Sequence, residues 1–151
     1  MKGRLLTLGL MAVALVSLVG CAGGPSGGMA GDRPVPTAPL TNTYWELKAV
    51  GDSAVAKTGG EAEPHMILLD DGRVHGFSGC NRFVGQYRVE GSYLLFDSMA
   101  STKMACPGDD VEAPLYQAFA ETAGVNLRGK VLKLLDEKGR ELGRFEAVAL
   151  P

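Results

Sequence analysis

The sequence predicts an α+β domain, mostly antiparallel β, curved into a sheet or a small, partly open barrel with one amphipathic helix. Three observations carry that expectation. Short apolar runs are separated by tight-turn signals at Asp70-Asp71-Gly72, Glu90-Gly91 and Asp136–Arg140, which is how antiparallel strands are joined. Gly76, Gly79, Gly85 and Gly91 fall in or beside those runs, where a curved sheet must bend or bulge. One segment only, from Asp109 or Asp110 to Ala123, changes to helical spacing.

The chain opens on a targeting segment. Lys2 and Arg4 form a basic start, and Leu5 to Val19 is apolar except at Thr7, Gly9 and Ser17. Such a run is short of the roughly twenty residues that cross a bilayer as a helix, so it reads as a removed signal. Leu18-Val19-Gly20-Cys21 is a lipobox, and Cys21 is the lipidation site, because only a thiolate here is nucleophilic enough to form the thioether. Several acyl chains on Cys21 anchor stably where one does not. Ala22, in a position where inner-membrane retention favours Asp, points to the outer membrane, facing the periplasm. The expected partners are therefore the membrane, through this lipid, and an unknown envelope protein or small apolar ligand.

The residues divide as signal 1–20, lipidated cysteine and tether 21–40, and folded domain 41–151. Five glycines and four prolines between Ala22 and Leu40 leave little to bury against the entropy of ordering. Loss of Lys2 and Arg4 with the signal takes the net charge from −2 to −4. That balance excludes nucleic acid, whose phosphates need a basic field.

Within the domain the strands follow in order. Thr43 to Val50 alternates around Trp45, Leu47 and Ala49. His65–Leu69 and Arg73–Phe77 flank the Asp-Gly turn, Phe83–Val89 and Ser92–Phe96 flank Glu90-Gly91, and Lys130–Leu135 and Glu141–Val148 flank the last turn. In the helix, Val111, Leu115, Phe119 and the Thr122 methyl recur on one face. Asp109 and Glu112 have capping-box spacing, Pro114 is tolerable in the first turn, and Gly124 is the expected terminator.

Cys80 and Cys106 are an even pair in an oxidising compartment, most simply a disulfide. It closes a loop of about 26 residues, worth roughly 3.5 kcal/mol by loop entropy. A redox thiol or a soft-metal site is the alternative. No Cys-x-x-Cys spacing supports the first. A zinc site would draw on Cys80, Cys106, His65 and His75, and copper(I) on Met99 and Met104. The histidines sit on separate strands and methionines in β domains are commonly core filler, so no metal and no cofactor is expected.

Catalysis has no motif behind it. Gly76-Phe77-Ser78-Gly79 is not a nucleophile elbow, Asp70-Asp71 reads as a turn, and no glycine run is followed by the lysine and helix of a phosphate loop.

Two further stretches carry a resemblance. Gly72 to Phe83 contains Gly79-Cys80-Asn81, and Met99 to Cys106 ends in Met104-Ala105-Cys106; with Tyr44-Trp45-Glu46-Leu47 these resemble the motifs of the META-domain family, which includes heat-shock proteins of the HslJ type. The resemblance spans about Asn42 to Val148. It implies that Cys80 and Cys106 are the family's paired cysteines, and that the protein is similar to a family of small modules, often exported or lipid-anchored, linked to stress tolerance and without an established enzymatic activity. The expected function is a non-enzymatic envelope lipoprotein supporting envelope integrity or stress tolerance. Its candidate binding surface is Asn81, Arg82 and Phe83 with Thr102, Lys103 and Met104. A carrier or chaperone-like module holding an apolar ligand inside the barrel is the alternative, to be separated by whether the core is hollow or filled.

Overall fold

The first strand, β1 (Tyr44–Val50), shows how the chain closes on itself. It is paired with the last strand, with the two-residue strand that follows it and with the strand after that. The computed structural model describes residues 36–56, 63–105, 108 and 111–149. The expected signal, Cys21, most of the tether, Cys106, Asp109 and Asp110 lie outside the described residues.

Eight further strands and one helix follow: β2 (Ser53–Ala54), β3 (His65–Leu68), β4 (Arg73–Phe77), β5 (Arg82–Glu90), β6 (Tyr93–Ser101), α1 (Glu112–Glu121), β7 (Gly124–Arg128), β8 (Val131–Leu135) and β9 (Glu141–Val148). Every pairing is antiparallel. From β3 the pairings run in chain order to β9, and β9 returns to β1 from Tyr44↔Val148 to Val50↔Gly143. The sheet is thus ring-like, and the expected α+β class holds.

Alternation in β1 sends Trp45 and Leu47 into the core, as their spacing requires. A bulge between Leu47 and Ala49 then shifts the register. Val50, rather than the expected Ala49, is the next buried residue. A bulge does this because one unpaired residue reverses which face the following side chains take.

The three expected hairpins form, with positive φ at Gly72, Gly91 and Gly139. β6 runs five residues beyond the expected Phe96, past a bulge where Ser98 takes positive φ. β7 was not expected: its GVNLR sequence has only two large apolar residues, both half-buried. Its place is decided by the hairpin with β8, from Arg128↔Val131 to Gly124↔Leu135. Gly124 correspondingly opens β7 and does not end the helix. The helix stops earlier, where Thr122 turns extended and its hydroxyl donates to the Ala118 carbonyl at 2.6 Å.

The β6–β7 junction is the narrowest in the ring, paired at Tyr93↔Gly124. The chain between these strands contains α1, which packs against this region. Leu115, Ala118 and Phe119 are buried, and the Phe119 ring lies 4.7 Å from that of Phe96 and 5.2 Å from that of Phe83. With Trp45, Met66, Leu68, Leu94, Leu132, Leu134 and Phe145 they fill one continuous apolar core, each fully buried large side chain contributing about 1.5–3 kcal/mol.

Two residues of the stretch read as tether belong to this fold. Ala38 donates its N–H to the Gly129 carbonyl, and Leu40 accepts from the Trp45 indole at 2.9 Å. Both pack against the core.

Candidate functional site

Between β4 and β5 the chain makes a tight loop over residues 78–81. Gly79 supplies a φ of 105° that side-chain-bearing residues rarely adopt. The Ser78 N–H donates to the Asn81 carbonyl at 2.8 Å, and the Asn81 N–H donates to the Ser78 hydroxyl at 3.0 Å. This closure turns the Asn81 side chain inward, where it is only 3% exposed.

A carboxamide is both donor and acceptor, and Asn81 uses both ends. Its Oδ1 accepts from the Thr102 hydroxyl and from the Met104 N–H, each at 2.7 Å. Its Nδ2 donates to the Met104 carbonyl at 3.2 Å and to Glu112 Oε2 at 2.9 Å. The Ser78 hydroxyl donates to that same carboxylate oxygen at 2.7 Å. The Thr102 hydroxyl in turn accepts the Arg82 N–H at 3.1 Å. One amide therefore joins the β4–β5 loop, the segment after β6 and the start of α1. Satisfied polar networks of this kind specify one arrangement, because breaking any member leaves a buried group unpaired.

The network redraws the surface expected from the sequence. Asn81 and Phe83 do not face solvent. Phe83 is 1% exposed and packs its ring on Phe119 and Tyr116. Alternation requires this, since Arg82 and Phe83 are neighbours on one strand and point to opposite faces. Arg82, Thr102, Lys103 and Met104 are the exposed members, with Met104 at 62%. Both backbone polar atoms of Met104 are held by Asn81, so a large apolar side chain is projected from a fixed support.

Cys80 is buried beside the network. Its sulfur accepts from Asn81 Nδ2 at 3.4 Å and lies 3.6 Å from the Met104 carbonyl oxygen. Its expected partner Cys106 lies outside the described residues, as does Cys21. Ser78 and Glu112 were not singled out as site residues. Glu112 reads as a capping residue in sequence, and nothing in its spacing from Asn81, 31 positions away, reveals the pairing.

Of the two histidines, His65 has a packing role. His65 stacks on Tyr44 with ring centroids 4.2 Å apart, and its Nδ1 lies 2.8 Å from the Glu63 carbonyl oxygen. Burial pulls its pKa below the ordinary histidine value, against the opposing carbonyl contact. His75 is exposed on β4. Asp71 holds the β3–β4 turn by accepting from the Arg73 side chain and N–H, and those bonds hold its carboxyl below the usual range. Among the described residues, no group of three or more His, Cys, Asp or Glu is arranged to hold a metal ion.

Two solved structures are similar. The chain shares 29% identity and a TM-score of 0.60 with an NMR structure of a protein from Burkholderia xenovorans, covering 78% of this chain and 93% of that one. A second NMR structure aligns at 21% identity and TM-score 0.58, covering 71% and 90% respectively, and speaks to the fold alone. Comparison with curated proteins finds no match. The family model for the META domain matches residues 38–149. That span takes in the whole described ring, its helix and the Asn81 network, and the chain belongs to the META-domain family.

Proposed function

We propose that this chain is a non-enzymatic envelope lipoprotein whose META domain binds a partner through the surface around Met104. The observation that carries the reading is the Asn81 clamp. An exposed methionine, flanked by exposed Arg82 and Lys103, is presented on backbone whose N–H and C=O are both fixed by one buried side chain. Holding a contact residue in place before binding lowers the entropy lost on association, and methionine adapts to varied apolar partners.

The interior supports this surface role over that of a carrier. The space between sheet and helix is filled by Trp45, Phe83, Phe119, Phe145 and their aliphatic neighbours. Residues with catalytic potential are likewise committed elsewhere: the Ser78 hydroxyl is fully buried and donates to Glu112, and His65 is stacked in the sheet surface. The lipobox supports anchoring through Cys21 in the outer membrane, facing the periplasm. For the Cys80–Cys106 disulfide, the support is that Cys80 is buried and that an even pair of cysteines in an exported chain is most simply bridged.

The test compares envelope-stress survival of cells carrying Met104→Asp or Arg82→Glu with wild type. The expected result is loss of survival with export and melting temperature unchanged, since neither side chain is part of the core. Survival equal to wild type in both variants refutes a binding role for this surface.

A further inference from the structure

The tip of the β5–β6 hairpin sets exposed apolar side chains beside two charges of opposite sign. Several outward charges are paired within the chain: Arg73 with Asp71, Arg140 with Asp136, Lys133 and Arg144 with Glu141, and Lys48 with Glu46. On the outer face of this hairpin, Arg88 is in register with Leu95 and Glu90 with Tyr93. Residues two apart on a strand share a face, so these four side chains form one outward rectangle. Tyr93 is 73% exposed and Leu95 46%. Among the described residues neither Arg88 nor Glu90 takes part in an ion pair, although they are neighbours on the same strand face. Together with Val89 these residues line an open groove of about 660 Å³.

We propose that this face pairs with the same face of a second copy of the chain. The rectangle is self-complementary. A two-fold axis lying across the hairpin, in the plane of contact, places Arg88 of one copy over Glu90 of the other and the reverse, while Tyr93 meets Leu95. Each charge then finds the partner it lacks within one chain, and the exposed apolar pair is covered. A two-fold contact has this property by construction, because a patch that meets itself satisfies each unlike pair twice. Exposed apolar side chains bounded by charge are the composition that marks an association surface. Four residues a side bury far less than the roughly 800 Å² per partner of a standard interface. The pairing is therefore weak and concentration-dependent.

The experiment uses the full chain in cells, with a photo-reactive benzoylphenylalanine in place of Tyr93 to keep the ring. Irradiation of wild-type background is expected to give a cross-linked species at twice the mass. Arg88→Glu places Glu over Glu, and Glu90→Arg places Arg over Arg; like charges brought together at an interface cost enough that each variant loses roughly tenfold of the dimer yield. The double variant R88E/E90R, which keeps one charge of each sign, regains it. Co-expressed, differently tagged R88E and E90R chains regain it only as the mixed species. Dimer yield unchanged by the single variants, failure of the mixed pair to recover, or cross-linking to lipid or to another protein in place of the second copy overturns the proposal.

Discussion

The carboxamide nitrogen of Asn81 donates to both carboxylate oxygens of Glu112, at 2.9 Å and 3.2 Å, across 31 residues of sequence. This contact ties the helix start to the β4–β5 loop. Asn81→Ala leaves the Met104 N–H and carbonyl and the Thr102 hydroxyl without their amide partner. It is expected to cost roughly 2–4 kcal/mol, from several lost bonds and unpaired buried groups. Asn81→Asp turns a donor into a second carboxylate facing Glu112 and costs at least as much. Adding Glu112→Gln to Asn81→Asp restores a donor–acceptor pair and recovers part of the loss. Urea unfolding of wild type, Asn81→Asp, Glu112→Gln and the double variant reads this directly, and additive costs in the double variant would dismiss the coupling.

Lipid anchoring is tested at Cys21. Serine cannot form a thioether, so Cys21→Ser is expected to abolish labelling by a radiolabelled fatty acid and to move the protein from the membrane to the soluble fraction. Retention of label or of membrane association in that variant rules out the lipobox.

For the cysteine pair, chain taken from the envelope is expected to resist a thiol probe until a reductant is added. Either Cys80→Ala or Cys106→Ala should lower the melting temperature by many degrees, at roughly 3.5 kcal/mol for a loop of this length. The double change should cost little more, because both remove the same bond. Free thiols in untreated chain would return the redox and metal alternatives to consideration.

His65 makes stability depend on pH. Its folded pKa lies below the unfolded value because burial against Tyr44 disfavours the charged ring; Glu63, His75 and Arg82 act on it as smaller influences. The unfolded chain therefore binds a proton more readily than the folded one in the window between the two values. The stabilising effect is fully present above the unfolded pKa, about 6.5, and is lost as pH falls through the lower folded value. Replacing His65 with Phe is expected to flatten the melting temperature between neutral pH and the folded pKa. An equal acid slope in wild type and variant would assign it to other groups.

Much of this domain was legible in the chain because it is written locally. The Asp-Gly, Glu-Gly and Asp136–Arg140 turns set three hairpins, period-two alternation set the inward residues of β1 as far as Leu47, and helical spacing placed Leu115 and Phe119 in the core. Local chemistry of this kind acts over a few residues, so it survives without knowledge of the rest. Where a single extra residue intervenes, as at the Leu47/Ala49 bulge, the alternation inverts and the sequence pattern misassigns Ala49.

Tertiary structure alone decided three things. It made β7 a strand, since GVNLR acquires its role only from the β8 partner and the gap beside β6. It turned Asn81 and Phe83 inward and left Arg82 and Met104 outside, because a residue's face is set by where the loop closes around Gly79. It brought Glu112 and Ser78 to Asn81, an encounter that depends on how α1 packs on the core. By itself the sequence determined the hairpins, the helix and the family motifs. The polar clamp that presents Met104 exists only when three distant segments meet, since a hydrogen bond of 2.9 Å is a property of positions in space and leaves no periodic trace along the chain.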